Sequence, residues 1–365
     1  MEAKINKISV CMIAVLFAVF TIWVWVKPDT EFSSTERRTL KKFPECSIAS
    51  IADGKFMEQF EAYTTDQFPF RDAFRSLKAA MHFYLFGQSD NNDVYVIDGH
   101  IGKIDYPYSE KAVKASAKKF NSIYEKYISG TDASVYYAIV PDKHYFLGEK
   151  NGYPAYDYKE MYETLATELS DMEYIEIADM LSVEDYYRTD THWKQESITD
   201  VAKRLAESMG VTLQEEYTEV THDGPFYGVY YGQLGLPVEP DTITYLVNPM
   251  FEDCVVTNHE TGKTMSVYDL AKAEGRDPYE LFLSGSISAI TIENPNATTD
   301  KELVMFRDSF GSSLAPLLVE AYAKITILDA RYMNEIMIGK FVTFENQDVL
   351  FIHSTGVLNN ETAFQ

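Results

Sequence analysis

The chain has 365 residues, of which 46% are hydrophobic, 14% aromatic and only 24% charged, a composition that excludes a disordered polypeptide. Its 56 acidic and 32 basic side chains leave a net charge of −24, and no run of Lys or Arg supplies the basic patch that a nucleic-acid partner requires. The length exceeds an average domain of roughly 100–200 residues, so one large α/β domain with extensions or two domains are expected, with neutral or weakly charged substrates.

Residues 8–26, ISVCMIAVLFAVFTIWVWV, carry no charge over a length close to the roughly 20 apolar residues that cross a bilayer as a helix. Lys4 and Lys7 precede the run, and Trp23, Trp25 and Lys27 close it. That arrangement predicts a single pass through the cell membrane, with a cytoplasmic N-terminus and an extracytoplasmic main domain. A signal peptide would end in small residues, whereas this run ends IWVWVKPD, so residues 1–27 read as an uncleaved anchor. Residues 28–50 are polar and turn-rich and read as a tether, with the folded part spanning 51–365. Cys11 lies in the anchor; Cys46 and Cys254 form either a lone disulfide or two free thiols, and their spacing matches no CxxC pattern.

Past the tether, Phe56, Phe60 and Tyr63, then Phe74, Leu77, Met81 and Tyr84, recur at helical spacing on either side of DQFPFR, which predicts two amphipathic helices. DVYVIDGHIGKI reads as a hairpin turning at Asp98-Gly99. Helix and strand patterns then alternate: KAVKASAKKFNSIYEKYI helical, SVYYAIVPDK a buried strand, MYETLATELSDM helical and EYIEIADML strand-like. KQESITDVAKRLAESMG puts Ile198, Val201, Leu205 and Met209 on one face and stops at Gly210. KELVMF, AKITILDA and DVLFIHS are short apolar strands, with a helix in SSLAPLLVEAYAK. Residues 213–300 have weak periodicity and many turn residues and read as an insertion or cap. The alternation predicts a mostly parallel sheet covered on both faces.

Ligands of such sheets bind beyond the carboxyl ends of the strands, where FRDSFGSS and PDKH fall. Ser309 follows a strand and opens a helix, so its surroundings favour developing negative charge; the same pattern also describes a plain helix cap. In YYRTDTHW, Asp190 and His192 stand two residues apart ahead of the next helix. In an extended segment they face the same side, as an orienting carboxylate and a base would; a polar turn is the competing reading. Asp142, Lys143 and His144 either line the cleft or form an ordinary turn. Arg331 either binds a substrate carboxylate or pairs with a neighbouring acid. Metal hydrolysis through Asp190, His192, Asp308 and His222 or His353 is the rival chemistry, although no HExxH or clustered ligand motif is present.

DTHW upstream of the strand-DSF-helix junction is similar to the alginate O-acetyltransferase group of SGNH/GDSL-like proteins, whose Asp-x-His element precedes the serine block. The wider chain resembles the DHHW family of exported proteins, with YTTDQFPFRD, IVPDKHYF, YYRTDTHWKQ, FYGVYYGQLGLPVEPDTITY, FRDSFGSSLAPLL and ITILDARYMN in order between residues 40 and 355. This resemblance implies a three-layer α/β/α SGNH-hydrolase-like domain with permuted element order behind one N-terminal transmembrane helix. It implies acyl-ester chemistry on a cell-surface glycan without a cofactor, with Ser309 as nucleophile and oxyanion-site residue, His192 as base and Asp190 as its partner. Asp142, Lys143, Arg331 and Trp193 are the expected substrate contacts. A transferase would need a membrane-bound partner to pass acyl groups; an esterase would not. Arg307 stands where the GDS pattern has glycine, which leaves open a non-catalytic glycan-binding or assembly role. The family's oxyanion-hole glycine and asparagine have no evident counterparts, with Gly228, Gly232 and Gln233 as candidates or as glycines and a neighbour serving a turn.

Overall fold

The computed structural model describes residues 2–214 and 216–364, with side chains from Asn6 onward. The side chain of Lys4, used above to orient the anchor, lies outside the described residues. The chain divides into two compact units, Asn92 and everything before it with Tyr231–Val238, and Asp93–Tyr230 with Glu239 to the C-terminus.

The first unit opens with α1, Glu2–Val26, whose stretch Asn6–Val26 is long and apolar enough to cross a membrane. The two expected helices follow as α2, Lys55–Asp66, and α3, Arg71–Ala80, the latter continued by a wider turn over Met81–Leu85. The segment read as a tether is pinned to α2: Gln67 exchanges hydrogen bonds with the Thr30 backbone, and Arg38 grips Asp66 bidentately at 2.8 and 2.5 Å. Hydrogen bonding to Arg38 holds the Asp66 carboxyl down at about 2. Cys46 of this unit and Cys254 of the other are both unpaired.

The second unit is built on an eight-stranded sheet: β1 Ser134–Val140, β2 Glu173–Tyr174, β3 Val255–Asn258, β4 Lys263–Met265, β5 Ala289–Glu293, β6 Glu302–Arg307, β7 Lys324–Leu328 and β8 Asp348–Ser354. Their order is β4-β3-β5-β7-β6-β8-β1-β2. The run from β7 to β2 is parallel, and β5, β3 and β4 extend it antiparallel. Residues 213–300, expected as an insertion or cap, thus contribute three strands to one flank of the sheet. EYIEIADML yields only Glu173–Tyr174 as strand, because the backbone turns into a 3₁₀ segment at Ala178.

Successive strand residues point to opposite faces, and both faces are covered. Met305, Ile327 and Ile352 pack under α7, Thr199–Ser208, and α8, Gly311–Leu318, whereas Phe306, Val349 and Phe351 pack against α4, Glu110–Ile123, and α6, Tyr158–Glu168. Two-sided burial is why these strands read as unbroken apolar runs. The hairpin Val94–Ile97/His100–Lys103 turns at Asp98 and Gly99 with φ 49° and 84°, the left-handed pair that a two-residue turn requires.

Candidate active site

β6, β8 and β1 lie side by side and parallel, so their carboxyl ends open at one rim. Each leads to a polar residue at the rim: Ser309 after β6, Ser354 at the end of β8 and Asp142 after β1. These residues, with Lys103, Asp105, Thr191, Tyr230, Gly356, Asn359 and Asn360, line a cavity of about 430 Å³. That volume is within the range of about 300–1,000 Å³ typical of small-ligand sites.

The segment from Tyr186 to Trp193 is a tight loop closed on itself, with Tyr186 bridging Trp193 antiparallel and the Tyr187 amide donating to the His192 carbonyl. The loop is anchored by Asp241, whose carboxylate accepts from the Arg188 amide, the Thr189 amide and the Thr189 hydroxyl. Held this way, Asp190 is wholly buried. Its Oδ1 faces His192 Nδ1 at 2.6 Å and the His192 amide at 3.1 Å, and its Oδ2 accepts from the Val229 amide at 2.8 Å. Because a carboxylate only accepts, Nδ1 carries the proton, leaving Nε2 as an acceptor. Nε2 lies 2.7 Å from Ser309 Oγ. The imidazole is sandwiched flat on Tyr279, 3.8 Å between centroids and 6° between planes, with Phe310 at 5.0 Å on a tilt. A packing partner of the imidazole thus comes from the 213–300 stretch.

Ser309 sits on a turn tied down by the residue before it. Asp308 Oδ1 accepts from the Phe310 amide, and its Oδ2 accepts from the amide and hydroxyl of Ser354 at the end of β8, both at 2.7 Å. Burial would raise the Asp308 carboxyl, but neighbouring positive charge and the Ser354 bonds hold it below its ordinary value. The Ser309 amide has no acceptor among the described residues, and α8 begins two residues later.

Of the expected substrate contacts, only Asp142 lines the cavity. Its carboxylate caps the short helix α5, Lys143–Leu147, through the Tyr145 amide and accepts from the Thr355 hydroxyl at 2.8 Å. Lys143 lies instead beneath the Asp190 loop, donating to the Tyr187 and Arg188 carbonyls at 2.9 and 3.0 Å, and burial pushes its ammonium down to about 7. Trp193 is fully buried, its indole N–H shared between the Phe310 carbonyl and Ser313 Oγ. It braces the Ser309 turn rather than meeting solvent. Arg331 spends its fork on Asp329, at 2.9 and 2.6 Å, the ion-pair alternative weighed above. His144 is buried between Tyr95 and the Pro154 carbonyl.

The Gly228 amide is already given to Thr189 Oγ1, and a Cβ at Gly228 would come within 2.4 Å of Asp190, so this glycine is required for close approach. Gly232 and Gln233 belong to the first unit. Among the described residues no group of three or more His, Cys, Asp or Glu side chains is placed to share a metal. His222 faces Glu274, and His353 is buried.

Sequence reasoning missed Asp105, Tyr279, Gly356, Asn359 and Asn360. The signal for the last three was available, since STGVLNN directly follows an apolar strand. Asp105 also accepts from the Tyr156 hydroxyl and the Asn359 amide. Burial, then the nearby Asp142, raises its carboxyl to about 6.

The family model that matches the chain, over residues 156–328, is that of the DHHW proteins. The DHHW resemblance therefore stands. Among solved structures, a DHHW family protein from Eubacterium siraeum superposes with a TM-score of 0.60 at 25% identity, covering 75% of this chain and 94% of its own. Bacillus cereus PatB1 superposes with a TM-score of 0.58 at 18% identity, and its form with a sulfonyl adduct with 0.57 at 16%, each covering 74% of this chain and 98% of PatB1. These are likenesses of fold, and the fold is the expected three-layer α/β/α class. No curated protein sequence matches the chain.

Proposed function

We propose that the chain is a serine-dependent O-acyltransferase, acetyl being the group carried, that modifies a glycan outside the cell. The observation that carries this reading is the continuous line Asp190 Oδ1, His192 Nδ1, His192 Nε2, Ser309 Oγ, with separations of 2.6 and 2.7 Å across its two hydrogen bonds. In this scheme Ser309 Oγ attacks the acyl carbonyl and passes its proton to Nε2. The Ser309 amide and the start of α8 face the developing oxyanion. His192 returns the proton to the leaving oxygen, and an acyl-serine remains. A sugar hydroxyl then gives its proton to Nε2, attacks the acyl-serine and departs as the ester, restoring Ser309. With water in place of the sugar, the same steps give an esterase. The polar lining of the cavity, with Asp105, Asp142, Asn359 and Asn360, favours a hydroxyl-rich acceptor.

In this reading α1 crosses the membrane with Lys7 inside and Ser309 outside. Cytosolic acyl-CoA cannot reach Ser309 there, so a membrane partner must hand over the acyl group. The direct test is turnover of a chromogenic acetyl ester by the purified protein, in which Ser309→Ala should cost about 10³-fold or more. An active Ser309→Ala protein would remove the serine from the scheme, and loss of activity with a chelator would favour a metal. Transfer is separated from hydrolysis in the cell: deleting the protein lowers surface-glycan acetylation under the first and raises it under the second.

A further inference from the structure

The first unit leaves an apolar stripe uncovered. Phe70, Phe74, Leu77, Met81 and Tyr84 recur every three or four residues along α3 and its continuation, so they share one face. They are between 38% and 80% exposed, and the neighbouring Leu85 and Phe86 are exposed too. The opposite side of the helix is the folded side, where Ala79 is buried and Arg71 and Arg75 pair with Glu36.

The start of this stripe is locked to the apolar N-terminal helix. Phe20 stacks on Phe68 at 5.3 Å and meets Phe74 edge-on at 6.0 Å, and Trp23 meets Phe70 at 5.1 Å. Phe70 holds a left-handed φ of 57° to make that contact, a conformation that costs a non-glycine residue about 1 kcal/mol. Phe20 lies six residues before the end of α1 at Val26, or about 9 Å along the axis. The apolar stretch of 21 residues is about 31 Å long, close to the roughly 30 Å of hydrocarbon it must cross. There is no slack to lift Phe20 clear of the bilayer, so side chains stacked on Phe20 lie at its depth.

We propose that α3 lies along the outer membrane surface, its Phe70–Tyr84 stripe sunk among headgroups and upper acyl chains, so that the bilayer itself covers this face. The proposal rests on α1 spanning the membrane, and not on the chemistry of Ser309. Such a helix fixes the height and orientation of the first unit, where a flexible stalk would fix neither.

The test uses the full chain in phosphatidylcholine/phosphatidylglycerol vesicles, with Cys11, Cys46 and Cys254 replaced by Ala and single fluorophore-labelled cysteines at Leu77, Tyr84, Asp72 or Val15. Lipids brominated near the headgroup should quench the Leu77 and Tyr84 labels at least about twofold more than the Asp72 label on the opposite flank, following the helical period. Lipids brominated deep in the acyl chain should quench the Val15 label. Quenching at Val15 with Leu77 and Tyr84 no more quenched than Asp72 would overturn the surface helix and leave the span intact. Leu77 and Tyr84 labels shielded from aqueous iodide but untouched by brominated lipid would mean a protein partner or a second copy, and would also overturn it. An unquenched Val15 label would remove the span and this proposal together, leaving ester turnover by Ser309 unaffected.

Discussion

Asp190→Asn is the sharpest perturbation of the proposed mechanism, because it is isosteric and removes the carboxylate charge and one acceptor while leaving the volume unchanged. Both carboxylate oxygens of Asp190 are acceptors: Oδ1 for His192 Nδ1 and the His192 amide, Oδ2 for the Val229 amide. An asparagine must turn its NH₂ toward one set of donors. If the NH₂ faces Nδ1, the imidazole must present a lone pair there, its proton moves to Nε2, and the ring can no longer accept from Ser309 at 2.7 Å. If the NH₂ faces Val229, two buried donors oppose one another at a cost of about 1–3 kcal/mol, and the imidazolium formed on attack loses its counter-charge. Either way a triad histidine with the wrong partner should lose about 10⁴ in turnover, near 5.5 kcal/mol of barrier. The assay is acetyl-ester hydrolysis across pH with the unfolding midpoint measured in parallel. A folded Asp190→Asn protein within about tenfold of the parent would refute the assignment of Asp190 as the orienting group.

Two groups in the second unit should give opposite pH slopes. The Asp105 carboxyl is raised to about 6 in the fold from about 3.9 unfolded, so it favours the folded state at acid pH and that contribution is lost as pH rises from about 4 to 6. His353 is buried, and burial lowers it to about 4 from about 6.5 unfolded, so its contribution is present above about 6.5 and is lost as pH falls toward 4. Each is worth about 3 kcal/mol across its window, so denaturant titrations between pH 4 and 7 should find Asp105→Asn more acid-sensitive than the parent and His353→Phe less so; equal slopes would contradict both. Lys143→Met removes the donor shared by the Tyr187 and Arg188 carbonyls and should lower kcat about tenfold with KM nearly unchanged, as expected of a positioning residue; a change confined to KM would restore Lys143 to substrate binding.

The layered fold was readable because the strands that build it are buried on both faces and carry continuous apolar runs, and the end of α7 at Gly210 and the hairpin turn at Asp98-Gly99 were readable because both need a left-handed backbone. The arrangement of Asp190, His192 and Ser309 was readable for a different reason: two residues in extended backbone share a side, and a strand-to-helix junction exposes its first residues. What could not be read depended on long-range contacts. The antiparallel flank from the 213–300 stretch has strands of three to five residues, too short for periodicity to register. Tyr279 is one tyrosine among 26, and nothing local says that it lies flat on His192. Trp193 sits beside the site in sequence, but its side chain turns inward, since a neighbour in an extended loop faces the other way, and Lys143, which opens α5 after Asp142, is buried beneath the Asp190 loop by contacts that are not local.

Arg307 bears most directly on whether the scaffold is a working enzyme, since it replaces the glycine that precedes the Asp-Ser pair in the GDS pattern. An arginine in the cavity would crowd the acyl group and argue for a binding protein. The side chain does not go there. It is fully buried on the sheet, its guanidinium 3.8 Å from Asp329 and within reach of the Gly285 carbonyl at 3.4 Å. A Cβ at Gly311 would collide with Arg307 Cβ at 2.6 Å, so the arginine stem fills the space under the first turn of α8, and Gly311 is what lets the helix start over it. The substitution therefore acts on the underside of the Ser309 turn, next to Asp308 and its bonds to Ser354, while the cavity face of that turn remains open to an acyl group. Gly311 leaves the room beneath the turn that the Arg307 stem occupies, so the departure from the GDS pattern is no argument against the proposed catalysis.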